Sequence, residues 1–296
     1  MHDAHCHFFS SNFFTTLARD VKDAPADPGV ELPNRLGWDP PGTDDTLADR
    51  WLAELNRHGV GRAALIASVP GDEGSVAAAA ARLPSRFVGF FMVNPTAPDA
   101  ASRVDRAFGE LRLHAACLFP AMHHYRLDDE RVEAVVARAE AHGAAVFVHC
   151  GVLSVGVRKK LGLPSRFDLR LGDPLGVAAI AMRHPSVPFI IPHFGAGLLR
   201  EALMAADTAP NVHLDTSSSN AWTRYHPGLT LAKVFRQALE VAGASRLVFG
   251  TDSSFFPRGW QRGVYDAQVA ALLELGTSEE TRAAIFGGNF ERLFPV

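Results

Sequence analysis

No run of apolar residues in this sequence approaches the ~20 that a membrane-spanning helix needs, and the first residues lack the basic-then-apolar order of a signal peptide. A membrane protein is therefore not expected, and the cytoplasm is the expected location. Positive charge is in no excess either. The 29 Lys plus Arg face 32 Asp plus Glu, a formal net charge of -3, so no basic surface is predicted that would follow a phosphate backbone. This excludes nucleic acid as an expected partner. Cysteine is scarce and odd in number: Cys6, Cys117 and Cys150 neither cluster nor follow a zinc-ribbon spacing. Buried, reduced thiols suit them better than a disulfide framework. Lysine is rarer still in proportion, with Lys22, Lys159, Lys160 and Lys233 alone. Internal repeats, low-complexity tracts and composition breaks are missing, so one domain over residues 1–296 is the simpler reading.

What the chain does have is apolar content, 47% of residues, enough to bury a large core. It falls into short β-branched and aromatic runs, each followed by a stretch of helical periodicity. Eight such runs lie near residues 2–8, 62–69, 87–93, 115–120, 144–149, 188–193, 211–216 and 246–251. Most are apolar throughout, as strands covered on both faces are. Between them, Leu47, Trp51, Leu52 and Leu55 form an apolar stripe closed by Gly59, and Val132, Val135, Val136 and Ala139 form another before Gly143. Later helices are expected near 173–184, 197–207, 229–242 and 264–275. A last one, near 278–294, opens with Thr277 and Glu280 placed as a capping box. Strands alternating with helices in this number predict an α/β fold, a single-domain (β/α)8 TIM barrel, with a doubly wound open sheet as its competitor. Two strand-to-helix connections are long, 9–43 and 150–172, and in a barrel such loops lie over the active-site face.

The strongest local motif is Asp3-Ala4-His5-Cys6-His7 on the first predicted strand. Strict alternation puts Asp3, His5 and His7 on one face and Ala4 and Cys6 on the other. Two imidazoles then converge if the first face is the barrel interior. Alone, the pair says little about metal. Its weight comes from what ends the other strands: His149 in VFVHCG, His193 in IIPHFG and Asp252 in VFGTDSS close the fifth, sixth and eighth. All three fall at the end of a barrel where catalysis takes place. Each histidine taken singly could be a core residue bonded to a carbonyl. Five coincident placements argue against that for the set.

These segments, with the closing GGNFERLF, resemble the amidohydrolase superfamily, specifically the amidohydrolase-related branch that includes aminocarboxymuconate-semialdehyde decarboxylase. The resemblance runs from residue 3 to about 294. It implies that His5, His7, His149 and Asp252 are metal ligands, and that His193 is a catalytic histidine beside them, with Asp252 able to take a proton as well. Many members of the wider superfamily hold two ions bridged by a carbamylated lysine from the fourth strand. Here Cys117 stands on that strand, so one divalent ion is expected. Zinc suits nitrogen-rich ligands best, with manganese, iron or cobalt as alternatives. Such a ligand set leaves an open position at which water acidifies toward a pKa of about 7.

Further residues fall where they could line a pocket: His123 and His124 after the fourth strand, Trp222 after the seventh, and Arg258 and Trp260 after the eighth. Arg258 is a candidate cation for a substrate carboxylate. Asp215, on the seventh strand, can hydrogen-bond inside the barrel, while Asp3 either orients a ligand histidine or serves the barrel floor. The implied function is metal-dependent hydrolysis of a small organic substrate, with a carboxylate as one candidate class. Activated water attacks a lactone, ester or amide-type carbonyl. Two alternatives stay open: nonoxidative decarboxylation of an aromatic or muconate-like acid by the same ligands, and a metal-free binding barrel with vestigial histidines. A homodimer is the assembly the resemblance suggests.

Overall fold

The computed structural model describes residues 1–296 and contains eight strands: β1 (His2–Phe8), β2 (Arg62–Ala67), β3 (Phe87–Val93), β4 (Ala115–Leu118), β5 (Ala145–Val148), β6 (Phe189–Ile191), β7 (Val212–Asp215) and β8 (Leu247–Val248). Each pairs in parallel with the next in chain order, and helices follow on the outside. The ring closes where the segment after β8 meets β1. There Ala4 N donates to Phe249 O at 2.8 Å, Asp252 N to His5 O at 2.9 Å and His7 N to Ser253 O at 2.7 Å. This is the single-domain (β/α)8 barrel that the apolar runs predict. No helix is long and apolar enough to cross a membrane.

The interior is packed. Ile66, Phe90, Cys117, Phe147 and Ile190 belong to one buried cluster, and Phe290 and Phe294 from the last helix plug its N-terminal end. A larger layer packs the outer faces of the strands against helix residues such as Leu47, Trp51, Leu55 and Val136. Burial of each such side chain contributes roughly 1.5–3 kcal/mol, and the same covering on both faces explains why the strands read as continuous apolar runs.

Side chains along β1 depart from the alternation read in the sequence. Pairing with β2 passes from Asp3↔Ala63 to Cys6↔Leu65, so Ala4 and His5 share one position opposite β2. That bulge reverses the phase of the strand. Ala4 and His5 both face inward, with the His5 ring 5.1 Å from Phe147, while Cys6 joins the outer layer. Asp3 points outward with it and orients no imidazole. Its carboxylate accepts from His5 N (2.9 Å), Thr251 N (3.1 Å), Thr251 Oγ1 (2.6 Å) and Trp260 Nε1 (2.7 Å), stitching β1 to the segment after β8.

The last helical segment also differs in detail. Ser278, rather than Thr277, caps it, its Oγ accepting from Thr281 N at 3.1 Å. Thr277 Oγ1 instead donates to Leu272 O at 2.9 Å. A π turn over Ala284–Gly288 then interrupts the helix, and beyond it Asn289 Nδ2 donates to Ala244 O and Leu247 O beneath β8.

The two long connections are partly helical. Residues 9–43 hold helices Ser11–Ala18 and Pro28–Leu36, and residues 150–172 hold a short helix, Gly156–Lys160, and a 3-10 turn at Leu169–Leu171. The connections pack on each other: Phe13, Phe14, Leu17, Leu32 and Trp38 of the first share a buried cluster with Val157 and Leu163 of the second.

Candidate metal centre

His5, His7 and Asp252 come together at the C-terminal mouth, their ligand atoms all within 4.8 Å of one another. Asp252 Oδ1 lies 3.0 Å from His7 Nε2 and 3.7 Å from His5 Nε2. Both imidazoles present Nε2 because Nδ1 is engaged elsewhere. His5 Nδ1 donates to Asp215 Oδ2 at 2.7 Å, inside the barrel as the position of Asp215 suggested. His7 Nδ1 faces Ser68 Oγ at 2.7 Å; that hydroxyl already donates to Ile66 O, so the ring must be the donor. Each Nε2 is left with a free lone pair, the protonation state a metal ligand needs.

Asp252 adopts φ 60°, a left-handed backbone uncommon for a residue with a side chain. Its N–H bond to His5 O and the bonds from Gln261 Nε2 to Thr251 O and Asp252 O hold it there. Burial pushes its pKa up, but the close approach of His7 and the fields of His5, His7 and His193 outweigh it and hold the carboxyl well below its usual range. It is ionised at any pH the enzyme meets.

His149, at the end of β5, is buried against Phe119, with ring centroids 5.3 Å apart. It lies outside the tight group of three, but its Nδ1 is buried without any hydrogen-bond partner. Burial, then the charges of His193 and His5, keep its pKa well below the ordinary histidine value, so the ring is neutral. An orphaned imidazole nitrogen costs free energy unless a further group meets it. His5, His7 and Asp252 present a donor set of the kind a divalent cation takes, and the His149 nitrogen is open to a further group.

His193 stacks on His5 at 5.0 Å and sits 5.3 Å from the His149 ring. Its Nδ1 lies 2.8 Å from Ser217 Oγ and 3.3 Å from the Ser217 carbonyl, which can only accept. The proton therefore resides on Nδ1, and Nε2 is the open atom. Ser217 Oγ also lies 3.0 Å from His5 Nδ1, and Ser217 N donates to Asp215 Oδ1 at 2.6 Å. Neither Ser217 nor Ser68 carries a sequence signal; each acts through where its strand end lies. Close approach of the loops after β5 and β6 requires glycine at 151, where a Cβ would lie 2.2 Å from Gly195 O.

The remaining candidates scatter. Trp260 is buried on the outer side of β1, bonded to Asp3 and Glu54, and presents no face to this centre, which corrects its reading as a substrate contact. Trp222 is buried with its Nε1 donated to Asn220 Oδ1 at 3.0 Å. His123 is half-buried, its pKa pushed down to about 4 by burial, and His124 is exposed and bonds Arg166 O. Arg258 lies at the edge of the centre, where its charge acts on His7 and Asp252.

Solved structures with this fold include three aligned over nearly their full length. A probable 2-pyrone-4,6-dicarboxylic acid hydrolase from Acinetobacter baumannii with citric acid bound has TM-score 0.63 and 12% identity, covering 100% of this chain and 99% of that one. An amidohydrolase from Burkholderia multivorans with bound zinc has TM-score 0.65 and 18% identity, again covering 100% and 99%. The D314N mutant of 5-carboxyvanillate decarboxylase LigW2 from Novosphingobium aromaticivorans, with manganese and 3-methoxy-4-hydroxy-5-nitrobenzoic acid, has TM-score 0.63 and 16% identity, covering 100% and 96%. Among curated proteins, Protein fluG of Emericella nidulans is 25% identical over 170 residues, 56% of this chain but 18% of that protein. The model of the Amidohydrolase family matches residues 2–296, and with a His-His-Asp group at the barrel mouth, this chain belongs to that family of metal-dependent enzymes.

Proposed function

We propose that the protein is a metal-dependent hydrolase of a small organic substrate, holding one divalent ion, zinc by preference, with His5, His7, His149 and Asp252. The observation that carries this is the donor set: two Nε2 lone pairs freed by bonds at Nδ1, an ionised carboxylate 3.0 Å from one of them, and the orphaned Nδ1 of His149. Three neutral nitrogens and one carboxylate suit zinc. A second ion bridged by a carbamylated lysine from the fourth strand is not expected, since the residue there is Cys117, buried, with its thiol pushed well up by burial.

When bound, such an ion acidifies water and polarises a carbonyl oxygen. His193 Nε2 accepts the proton of the attacking water as its oxygen bonds the carbonyl carbon, while Ser217 holds the Nδ1 proton and so fixes the ring. As the C–O or C–N bond breaks, the same Nε2 returns the proton to the departing group. Asp252, its carboxyl held ionised, stands with His5 and His7 in the set that would hold the ion.

Nonoxidative decarboxylation of an aromatic or muconate-like acid is the second reading, favoured by the decarboxylase among the structural relatives. Purified zinc-loaded protein assayed against lactones, amides and hydroxybenzoates decides between them. Water addition products support hydrolysis; carbon dioxide release overturns it in favour of decarboxylation. Zinc below about 0.2 equivalents after reconstitution overturns both and leaves a metal-free barrel.

A further inference from the structure

A cavity of about 840 Å³ lies at the N-terminal end of the barrel, away from the metal centre. Arg62, in its lining, opens β2, whereas Ser68, just past the end of that strand, holds His7. The strand between them spans roughly 20 Å at about 3.3 Å per residue. Part of the lining is apolar and set back: Ala77, Ala78 and Ala81 of the helix Glu73–Arg82 end at Cβ, and Phe87 and Leu111 adjoin them. Val296 lies at the rim and is 93% exposed rather than packed into the space.

The rest of the lining includes Arg62, Arg106, Arg112 and His114. Arg106 is compensated, since Glu110 lies 3.7 Å from its Nε. Arg62 and Arg112 have no carboxylate within 4.0 Å, in contrast to pairs such as Arg82–Asp49 and Arg138–Asp105 elsewhere around the barrel. Arg62 is only 7% exposed. Its Nη1 donates to Phe294 O at 2.6 Å and its guanidinium lies 5.2 Å over the Phe290 ring, so the group is held in one place. Yet its Nε is buried without a partner, and Nη2 donates to no protein atom. Nδ1 of His114 is likewise buried and unpartnered. Unmet donors on a buried cation cost free energy unless a further group meets them.

Arg112 adds a second anomaly. It follows the helix Ala100–Gly109 at φ 52°, a left-handed backbone that favours glycine or asparagine. The backbone is strained for an arginine there, and its exposed side chain makes no hydrogen bond to the protein.

We propose that this cavity is a second binding site, for a small phosphate monoester with an apolar body. Arg62 and Arg112 supply two positive charges without counter-ions, so a dianion neutralises both where a lone carboxylate leaves one unmet. The two forks stand on different segments, β2 and the turn before β4, and a phosphate group has three oxygens with which to accept from them. The alanine wall takes the apolar part of the ligand. None of this depends on the proposed metal centre.

The test is calorimetric titration of zinc-loaded wild type and Arg112→Gly with phenyl phosphate, inorganic phosphate and benzoate, at low salt and about pH 8, where the phosphate is doubly charged. Glycine suits the backbone at position 112, so the variant should unfold at the same urea concentration as wild type or a higher one, which separates loss of the cation from loss of the fold. The expected result is a loss of about 10-fold or more in phenyl phosphate affinity in Arg112→Gly. Wild type should hold phenyl phosphate at least about 10-fold more tightly than benzoate, which lacks the second charge, and more tightly than inorganic phosphate, which lacks the ring. Equal phenyl phosphate affinity in the two proteins overturns the proposal and assigns the binding to the metal centre, whose residues are the same in both. Wild type that binds no phenyl phosphate, or that holds benzoate or inorganic phosphate as tightly, overturns it as well.

Discussion

Asp215 Oδ2 holds Nδ1 of His5 at 2.7 Å, joining two residues 210 positions apart in the chain, and both side chains are buried. The carboxylate decides which nitrogen of His5 faces the centre. Asp215→Asn therefore weakens zinc binding by about 10- to 100-fold while leaving the barrel folded. Competition with a chromophoric chelator measures it, and an unchanged dissociation constant shows that His5 is oriented without Asp215.

His149 and His193 stand close together but differ at their nitrogens. Nδ1 of His149 has no protein partner, whereas Nδ1 of His193 is held by Ser217. His149→Ala should lose the ion, and His193→Ala should keep it while losing turnover by at least about 100-fold. Metal content by mass spectrometry separates them. Equal loss of metal in both variants reverses the assignment of ligand and base.

Asp72 links the loop after β2 to the first connection. It accepts from Ser10 Oγ at 2.8 Å, Ser75 Oγ at 2.6 Å and Asn12 Nδ2 at 3.2 Å. Burial lifts its pKa to about 6 against the lowering effect of those bonds. The folded state therefore binds this proton more tightly than the unfolded chain does, and the stability gained is present at low pH and lost as pH rises toward and through 6. Relative to Asp72→Asn, which does not titrate there, wild type should lose about 2 kcal/mol between about pH 4.5 and 7.5. Urea unfolding of both proteins gives that difference, and a constant gap would sink the claim.

Trp38 is buried between Phe255 and Phe9 and belongs to a small cluster separate from the barrel core. Trp38→Ala should release the first connection and leave the barrel intact, since the cavity falls on the satellite cluster alone. Brief trypsin digestion should cut after Arg19, Lys22 or Arg35 at least about 10-fold faster than in wild type. Uniform degradation of the whole chain would instead mean that the cluster is part of the main cooperative unit.

The sequence by itself determined the barrel, the order of its strands and the end of it where His5, His7, His149, His193 and Asp252 collect, because apolar runs and residue periodicity are local properties that survive in one dimension. It also placed Arg258 after the eighth strand, though without its partners. Tertiary structure alone decided the rest. The bulge that turns Asp3 outward arises from pairing with β2, the tautomers of His5, His7 and His193 depend on Asp215, Ser68 and Ser217 from other strands, and the stack of Phe9, Trp38 and Phe255 joins two loops. Hydrogen bonds and ring contacts between distant segments exist only once the barrel brings its strand ends to one rim, so no local pattern encodes them.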